Sequence, residues 1–405
     1  MRNYPIYTVT PKAEKSLRQG HPWVYAEEIT RMEPQAANGD LVDVRSSKGA
    51  YLGTGWTSDE SKIRVRIVST NANDAFDEAF FARRVRYALE YRRTVMGDDF
   101  GACRLIFGES DQFPGLVVDR FGDVLVAQVM SYGLERRKDL IFGLLVQTLR
   151  DMGQTVSAIY ERCDVATRSL EGLDQHKGFY AMDGLRTDLD GHAVIRENGI
   201  AFDVDYVNGQ KTGYFLDQKY NRRAVMRLAR GRRVLDCFTH TGAFALHAAM
   251  GGAAHVTAVD VSQQALDQAA ANAERNGLTN VDFVCANVFE LLTARAEKRE
   301  KSDDFIILDP PAFTKSNATA RDAYRGYREI NRRAMQLLPR GGLLATCSCS
   351  HFMKDDMFRA MLLEAAQDAA VSLKQIEARQ QAPDHPIMLQ IPETNYLKFY
   401  IFQVI

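Results

Sequence analysis

The chain has 405 residues, 46% hydrophobic and 25% charged, the balance of a soluble globular protein of two to three domains rather than a disordered one. Lys plus Arg number 51 against 52 Asp plus Glu, a formal net charge of −1, so a global basic footprint for nucleic acid is absent and any such surface is local. No window approaches the ~18 apolar residues of a membrane helix, the opening MRNYPIYTVT lacks the apolar core of a secretory signal, and the six cysteines form neither a disulfide framework nor a paired CxxC zinc pattern. These features predict a cytosolic chain with reduced thiols and no metal site.

Residues 1–75 are short β-rich runs broken by Gly, Asn and Pro. Residues 40–45 (DLVDVR) and 62–68 (KIRVRIV) alternate with period two, as half-buried strands do, and Asn38-Gly39 signals a turn. With one short helix over 13–19, this predicts a small β-barrel, and the polar stretch 69–77 reads as a linker. Residues 76–200 predict a small α+β domain: a helix over 80–95, β-rich runs at 116–119 and 124–130 around a hairpin signal at 120–123, a helix over 136–152 and a strand at 158–161.

From 201 to 405 strand and helix alternate, the pattern of a parallel sheet covered on both faces. Strands are predicted at 233–237, 255–261, 281–285, 305–308 and 343–347, and a helix over 263–276 ends at Gly277. A helix over 355–369 and strands at 372–378 and 397–404 follow, with a loop bearing Pro383, Pro386 and Pro392 between those strands. Their short connection allows an antiparallel terminal hairpin, not the usual ending of a nucleotide dehydrogenase.

Three basic clusters stand out in this neutral chain. One is Lys219, Arg222, Arg223, Arg227, Arg230, Arg232 and Arg233, with no acid among them. A second is Arg83, Arg84, Arg86, Arg92 and Arg93, and a third is Arg321, Arg325, Arg328, Arg332 and Arg333, interleaved with Tyr324 and Tyr327. Each reads either as a solvated helix face or as part of a phosphate-binding surface.

In such sheets ligands bind at the carboxyl ends of the strands, where strand order reverses. The first strand runs into Asp236-Cys237-Phe238-Thr239-His240-Thr241-Gly242, a tight turn opening a helix whose N-terminus favours anionic groups. Asp260 ends the second strand, where a carboxylate can accept from both ribose hydroxyls, and Asn287 follows the third, where a polar side chain meets an adenine edge. Together these point to an adenosine-bearing cofactor. DPPAF at 309–313 leaves Asp309 and the Pro310 carbonyl as acceptors on a stiff platform for a planar base, with Phe313 able to stack on it. TCSCS at 346–350 puts a thiol across from Asp309, and a thiolate is a strong nucleophile for C6 of a pyrimidine. Attack there makes C5 enolate-like and able to take a methyl group, helped if Asp309 hydrogen-bonds or protonates N3. The residues do not decide between Cys347 and Cys349.

These strand ends resemble those of a class I S-adenosylmethionine (SAM) methyltransferase. HPWVY at 21–25, GESDQFPGLVVDR at 108–120, GQKTGYFLDQ at 209–218, DPPAF and TCSCS together resemble the bacterial large-subunit ribosomal RNA 5-methylcytosine methyltransferases that carry an N-terminal PUA domain. The resemblance spans nearly the whole chain. It implies a multidomain α/β protein: a PUA-like RNA-binding β-barrel at 1–75, a central α+β domain at 76–200 and a Rossmann-like SAM methyltransferase domain at 201–405. It implies SAM as cofactor, lined by Asp236, Phe238, Thr239, Gly242, Asp260, Asn287 and Asp309, with Phe215, Asp217 and Gln218 closing over it. It places a nucleophile in TCSCS. Similarity to other 5-methylcytosine enzymes, whose nucleophile follows a Thr, favours Cys347, with Asp309 and Cys349 as its catalytic companions. RNA contacts fall to Pro310, Phe313, Lys211, Arg222, Arg223, Tyr324 and Arg325. The implied partner is large-subunit ribosomal RNA, naked or partly assembled, in the cytoplasm, away from membranes, with a homodimer as a further expectation.

Two positions depart from the family pattern: Asn287 stands where Asp is usual, and Ala312 where many relatives carry a second cysteine that helps release product. The first rival reading is a SAM-dependent RNA N-methyltransferase that needs no thiol. The second is a catalytically silent RNA-binding or ribosome-assembly protein. A nicotinamide oxidoreductase is disfavoured by the missing glycine fingerprint.

Overall fold

A computed structural model describes residues 3–313 and 320–405. Backbone packing divides the chain into two compact units. The first is Met1–Ile195, Val204–Leu216 and Pro383–Thr394, and the second is Arg196–Asp203, Asp217–Ala382 and Asn395–Ile405. Barrel and central sheet thus belong to one packing unit, and the strand–helix alternation to the other.

The barrel strands are β1 (Ile6–Val9), β2 (Trp23–Tyr25), β3 (Ile29–Glu33), β4 (Leu41–Ser46), β5 (Tyr51–Thr57) and β6 (Ile63–Ser69), in the order β2-β6-β5-β4-β1-β3. Period-two alternation sends Val42, Val44 and Val65 inward, where they meet Leu17 of α1 (Pro11–Arg18). Gly55 is required where β5 crosses β6, since a Cβ there would sit 2.0 Å from the Arg66 carbonyl oxygen.

Next come α2 (Glu78–Met96), β7 (Ala102–Phe107), β8 (Leu116–Phe121), β9 (Val124–Val129), α3 (Tyr132–Glu135), α4 (Lys138–Asp151), β10 (Ala158–Cys163) and β11 (His176–Phe179). The strands form a sheet ordered β11-β10-β9-β8-β7, in which β9 and β10 run parallel. The predicted hairpin is tighter than 120–123, because β8 continues through Phe121 and leaves only Gly122-Asp123 as the turn. Much of the GESDQFPGLVVDR run is scaffolding. The Asp111 carboxylate accepts from Arg92 and the Phe107 amide, and Asp119 accepts from Arg104 at 2.7 and 2.8 Å and from the Thr212 hydroxyl at 2.6 Å.

A two-stranded ribbon, β12 (His192–Glu197) and β13 (Ile200–Asp205), precedes α5 (Lys219–Leu228). The large sheet is then built from β14 (Arg233–Cys237), α6 (Ala243–Met250), β15 (His255–Asp260), α7 (Gln263–Arg275), β16 (Val281–Cys285), α8 (Val288–Glu297) and β17 (Phe305–Leu308). It is completed by α9 (Ala320–Leu337), β18 (Leu343–Ser348), α10 (Asp355–Asp368), β19 (Leu373–Arg379) and β20 (Lys398–Val404). Strand order is β16-β15-β14-β17-β18-β20-β19, with β14 to β18 parallel and the expected antiparallel β19–β20 hairpin at one edge. Order reverses between β14 and β17, which opens the crevice at their carboxyl ends. Buried side chains alternate between the faces: Leu235, Ile306, Leu308 and Leu344 pack on one, and Val234, Phe305, Ile307, Ala345 and Cys347 on the other. Among the described residues no helix is long and apolar enough to cross a membrane.

Candidate active site

Register places the sulfur beside the carboxylate. Leu308 of β17 pairs with Thr346 of β18, so the next residues, Asp309 just past β17 and Cys347 still within β18, lie side by side. Cys347 Sγ lies 2.9 Å from Asp309 Oδ1 and 3.4 Å from the Leu308 carbonyl oxygen. The thiol is only 1% exposed, yet it packs against the carboxylate rather than away from it. Burial raises its pKa well above the ordinary thiol value, and the Asp309 charge adds to the effect. Burial likewise raises the Asp309 carboxyl, against the lowering effect of the Cys347 contact. The two groups therefore titrate as a coupled pair.

Gln218, expected as a cofactor residue, reaches this pair. Its Nε2 donates to Asp309 Oδ1 at 3.2 Å and approaches Cys347 Sγ at 3.5 Å. Its Oε1 accepts from Asn221 Nδ2 at 2.6 Å, and Asn221 Oδ1 accepts from Arg379 Nε at 3.2 Å. The sequence reading missed Asn221 and Arg379. The Gln218–Asn221 spacing of one helical turn was a usable signal, whereas Arg379 arrives only through tertiary folding. Lys398, also missed, sits opposite Ser348 in register. Its ammonium donates to the Ser350 and Tyr396 carbonyls at 2.6 and 2.8 Å, and burial pushes its pKa down to about 8 despite the nearby Cys349. Cys349 is half-buried.

At the end of β14, Asp236 is fully buried. Its Oδ2 accepts from the Thr239 hydroxyl at 2.5 Å, while Oδ1 has no partner in hydrogen-bond geometry among the described residues. Burial, with Asp309 and Asp260 nearby, pushes its pKa up to about 7. The turn that follows holds Phe238, His240 and Gly242 at φ of 65, 51 and 81°, left-handed values that two non-glycine residues adopt only when their surroundings enforce it. At Gly242 a Cβ would approach the Ala269 Cβ to 2.8 Å, so the absent side chain lets this turn close on α7. Asp260 accepts the His240 and Ser262 amides at 2.9 and 3.0 Å, one on each oxygen, which aims the carboxylate and leaves lone pairs for two hydroxyls.

Asn287 behaves differently from expectation. Its Oδ1 caps α8, accepting from the Phe289 amide at 2.9 Å and that of Glu290 at 3.5 Å. The group left to face a ligand is therefore the donor Nδ2, which suits a ring nitrogen rather than an exocyclic amine. Asp217 accepts from the Tyr396 hydroxyl at 2.6 Å. Phe215 belongs to the 204–216 segment of the first unit, where the Lys211 ammonium lies 5.1 Å over its ring.

The expected RNA contacts divide by burial. Arg222 is corrected: it is 2% exposed and ion-paired with Glu197 at 2.5 Å, an interior bond unavailable to phosphate. Arg223 is exposed, with its guanidinium 4.5 Å from the Tyr220 ring. Along α9, Arg325 pairs with Asp322, Arg328 with Asp368, and Arg332 and Arg333 with Glu329, the pattern of a charge-balanced helix face. Tyr324, half-buried beside Glu364, has its hydroxyl pushed up to about 12. Pro310 is buried, and Phe313 is half-buried between Phe289 and Tyr327, with ring centroids 5.6 and 4.6 Å away. No metal ligands were expected from the sequence. Glu161, Cys163 and His176 nonetheless bring ligand atoms within 4.8 Å of one another, although the Lys138 ammonium, 3.0 Å from Glu161, already supplies positive charge there.

SAM fits this donor set. Asp236 is a desolvated carboxylate with an unsatisfied oxygen, and SAM carries an ammonium and a sulfonium. Asp260 has capacity for a ribose diol. The family model for S-adenosylmethionine-dependent methyltransferases matches residues 167–402, and the PUA-like domain model matches residues 8–70. Curated relatives named ribosomal RNA large subunit methyltransferase I include that of Aeromonas salmonicida, 42% identical over 97% of each chain. That of Klebsiella pneumoniae is 40% identical over 99% of this chain and 98% of its own. Among solved structures, a chain from Streptococcus mutans described as a SAM-dependent methyltransferase superposes with a TM-score of 0.81 at 23% identity, over 98% of this chain and 99% of its own. A second, solved with SAH, gives 0.81 at 22% identity with the same coverage, and both show the shared fold. The chain joins a PUA-like domain to a catalytic sheet of this type, and it belongs to the S-adenosylmethionine-dependent methyltransferases, in the family of ribosomal RNA large subunit methyltransferase I.

Proposed function

We propose that the protein methylates C5 of a cytosine in large-subunit ribosomal RNA, in the cytoplasm, through a covalent adduct to Cys347. The ribosomal RNA substrate rests on the names of the relatives that match almost the whole chain. The covalent chemistry rests on one observation, the 2.9 Å contact between Cys347 Sγ and Asp309 Oδ1. Barrel, central domain and catalytic domain act as three modules, 1–75, 76–200 and 201–405. The target base leaves its stack to reach the crevice.

Asp309 takes the Cys347 proton, and the thiolate attacks C6. The C5–C6 π pair moves toward the ring carbon C4 while Asp309 passes the proton to N3, leaving C5 electron-rich. The chemistry that SAM would supply when bound is an electrophilic methyl group for C5, with the neutral thioether as its leaving group. Cys349, beside the Lys398 ammonium, removes the C5 proton. The released electron pair then expels the Cys347 thiolate, which regains a proton through Asp309. Asp236 and Asp260 hold the ammonium and the ribose, Phe313 stacks on the base, and Arg223 and Lys211 contact flanking phosphates.

Mass-spectrometric mapping of the nucleosides made by single variants tests this reading. Cys347→Ala abolishes 5-methylcytidine. Cys349→Ala accumulates a protein–RNA adduct that survives a denaturing gel. A nitrogen-methylated product that persists in both variants overturns the proposal.

A further inference from the structure

The basic cluster on α2 takes no part in the site above. Arg83 lies 3.5 Å from Asp74, and Arg92 is buried against Asp111. Arg84, Arg86 and Arg93 have no carboxylate within ion-pair distance among the described residues. On the same helix Tyr87 is 61% and Tyr91 38% exposed. Four residues apart, they stand one above the other on one face. The Tyr91 hydroxyl is fixed by donating to the Pro383 carbonyl at 3.0 Å.

Beside these rings is a cavity of about 270 Å³, walled by Arg84, Tyr87, Tyr91, Gln112 and Met388 among others. The Arg84 guanidinium lies 4.4 Å over the Phe80 ring and donates to the Gln112 carbonyl at 3.4 Å. Burial pushes its pKa down to about 10. Asp74 acts on this guanidinium from beyond ion-pair distance, which leaves its donors open to an incoming anion. Gln112 is held at φ 61°, a left-handed conformation that disfavours a non-glycine residue. Its exposed amide carries a donor and an acceptor together, the pair that base edges present. Cations, flat exposed rings and an amide complement an RNA strand better than an acidic peptide, which would leave the rings unused.

We infer that this cavity binds one unpaired nucleotide of the RNA substrate, with the base stacked on Tyr87 and its edge on Gln112. Arg84 holds its phosphate, and Arg86 and Arg93 take neighbouring ones. The inference rests on the proposal that RNA is the substrate, and it is independent of which atom is methylated.

Fluorescence anisotropy of the full chain with a labelled single-stranded RNA of roughly 12 nucleotides tests it. Tyr87→Ala weakens binding about tenfold, while Tyr87→Phe keeps the ring and stays within about twofold of wild type. Arg84→Gln lowers the slope of log affinity against log salt by about 1. In Tyr87→Trp, unlabelled RNA quenches the indole emission. SAM affinity, measured by calorimetry, reports that the variants remain folded. Unchanged RNA affinity and salt slope in Tyr87→Ala and Arg84→Gln overturn the inference, as does displacement of the RNA by an oligoglutamate peptide at comparable concentration. Failure of the C5 reading registers separately, in the nucleoside map, and leaves these binding results intact.

Discussion

Gln218 can face the sulfur–carboxylate pair in only one orientation, because its Oε1 is committed to Asn221 and its Nε2 must then point at Asp309 and Cys347. A neutral donor there stabilises the charged form of each group, and it does so without supplying a competing proton. It acts as a positioning residue for the pair. Gln218→Glu exchanges the donor for a second carboxylate, which favours the protonated forms of both partners. The acid limb of the single-turnover rate against pH shifts upward by about one unit, and the rate near neutrality falls about tenfold. Substituting Asn221 by Ala frees the amide to rotate and gives a smaller shift in the same direction. An unmoved limb accompanied by weakened SAM binding would return Gln218 to the cofactor role the sequence suggested.

On α5 one basic run serves two purposes, separated by helical period. Arg222, Ala224 and Val225 turn inward, whereas Arg223 and Arg227 face solvent. Arg222 ties the helix to Glu197 at the end of β12, and His247 Nε2 lies 3.5 Å from the same carboxylate. Burial pushes His247 down to about 4, so the imidazole is neutral at pH 7 and Arg222 carries the compensating charge. Arg222→Ala strands a buried carboxylate and costs about 3–5 kcal/mol in urea unfolding, with much of it restored when Glu197→Gln is added. Arg223→Ala leaves stability unchanged and lowers the RNA salt slope by about 1. Stable folding of Arg222→Ala with a lowered salt slope would restore the phosphate-binding role. Strands were legible in the sequence where a short apolar run ends in sharp polar residues. Residues 233–237, 281–285 and 305–308 match β14, β16 and β17 residue for residue: the central β14 and β17 are apolar because both faces are covered, whereas the edge strand β16 is only partly buried. β11 (HKGF) and β12 (HAVIRE) were missed: β11 has no buried residue, and in β12 an exposed Val194 and a buried Glu197 invert the polarity that marks a strand's two faces. Asp309 and Cys347 were legible because register carries strand ends together, but Arg379 and Lys398 come from the returning chain, which no local pattern announces.

At the scale of the whole molecule, each unit has its own core: the valine-rich interior of the barrel in the first and the two faces of the large sheet in the second. A ligand bound only by native protein stabilises the unit that holds it, by about 2.7 kcal/mol at a hundredfold excess over its Kd. In the second unit that linkage depends on pH. Asp236 ionises at about 7 in the folded chain because it is buried, against about 3.9 when unfolded. The folded state therefore binds the extra proton between these values, and the ligand-free second unit loses stability as pH rises from about 4 through 7. On the proposed assignment of Asp236 to the cationic amino group of SAM, the ionised carboxylate gains a partner and that loss is offset only in the bound form. Below pH 7 the site must first give up a proton, which weakens SAM binding by up to about tenfold per pH unit. Hydrogen exchange at the β14 and β15 amides, followed at a fixed total SAM concentration, shows greater added protection at pH 8 than at pH 6. Asp236→Asn removes that difference and stabilises the ligand-free unit at pH 8, because a neutral amide has no ionisation to oppose. Equal protection at the two pH values in the wild type would place Asp236 outside the cofactor's reach.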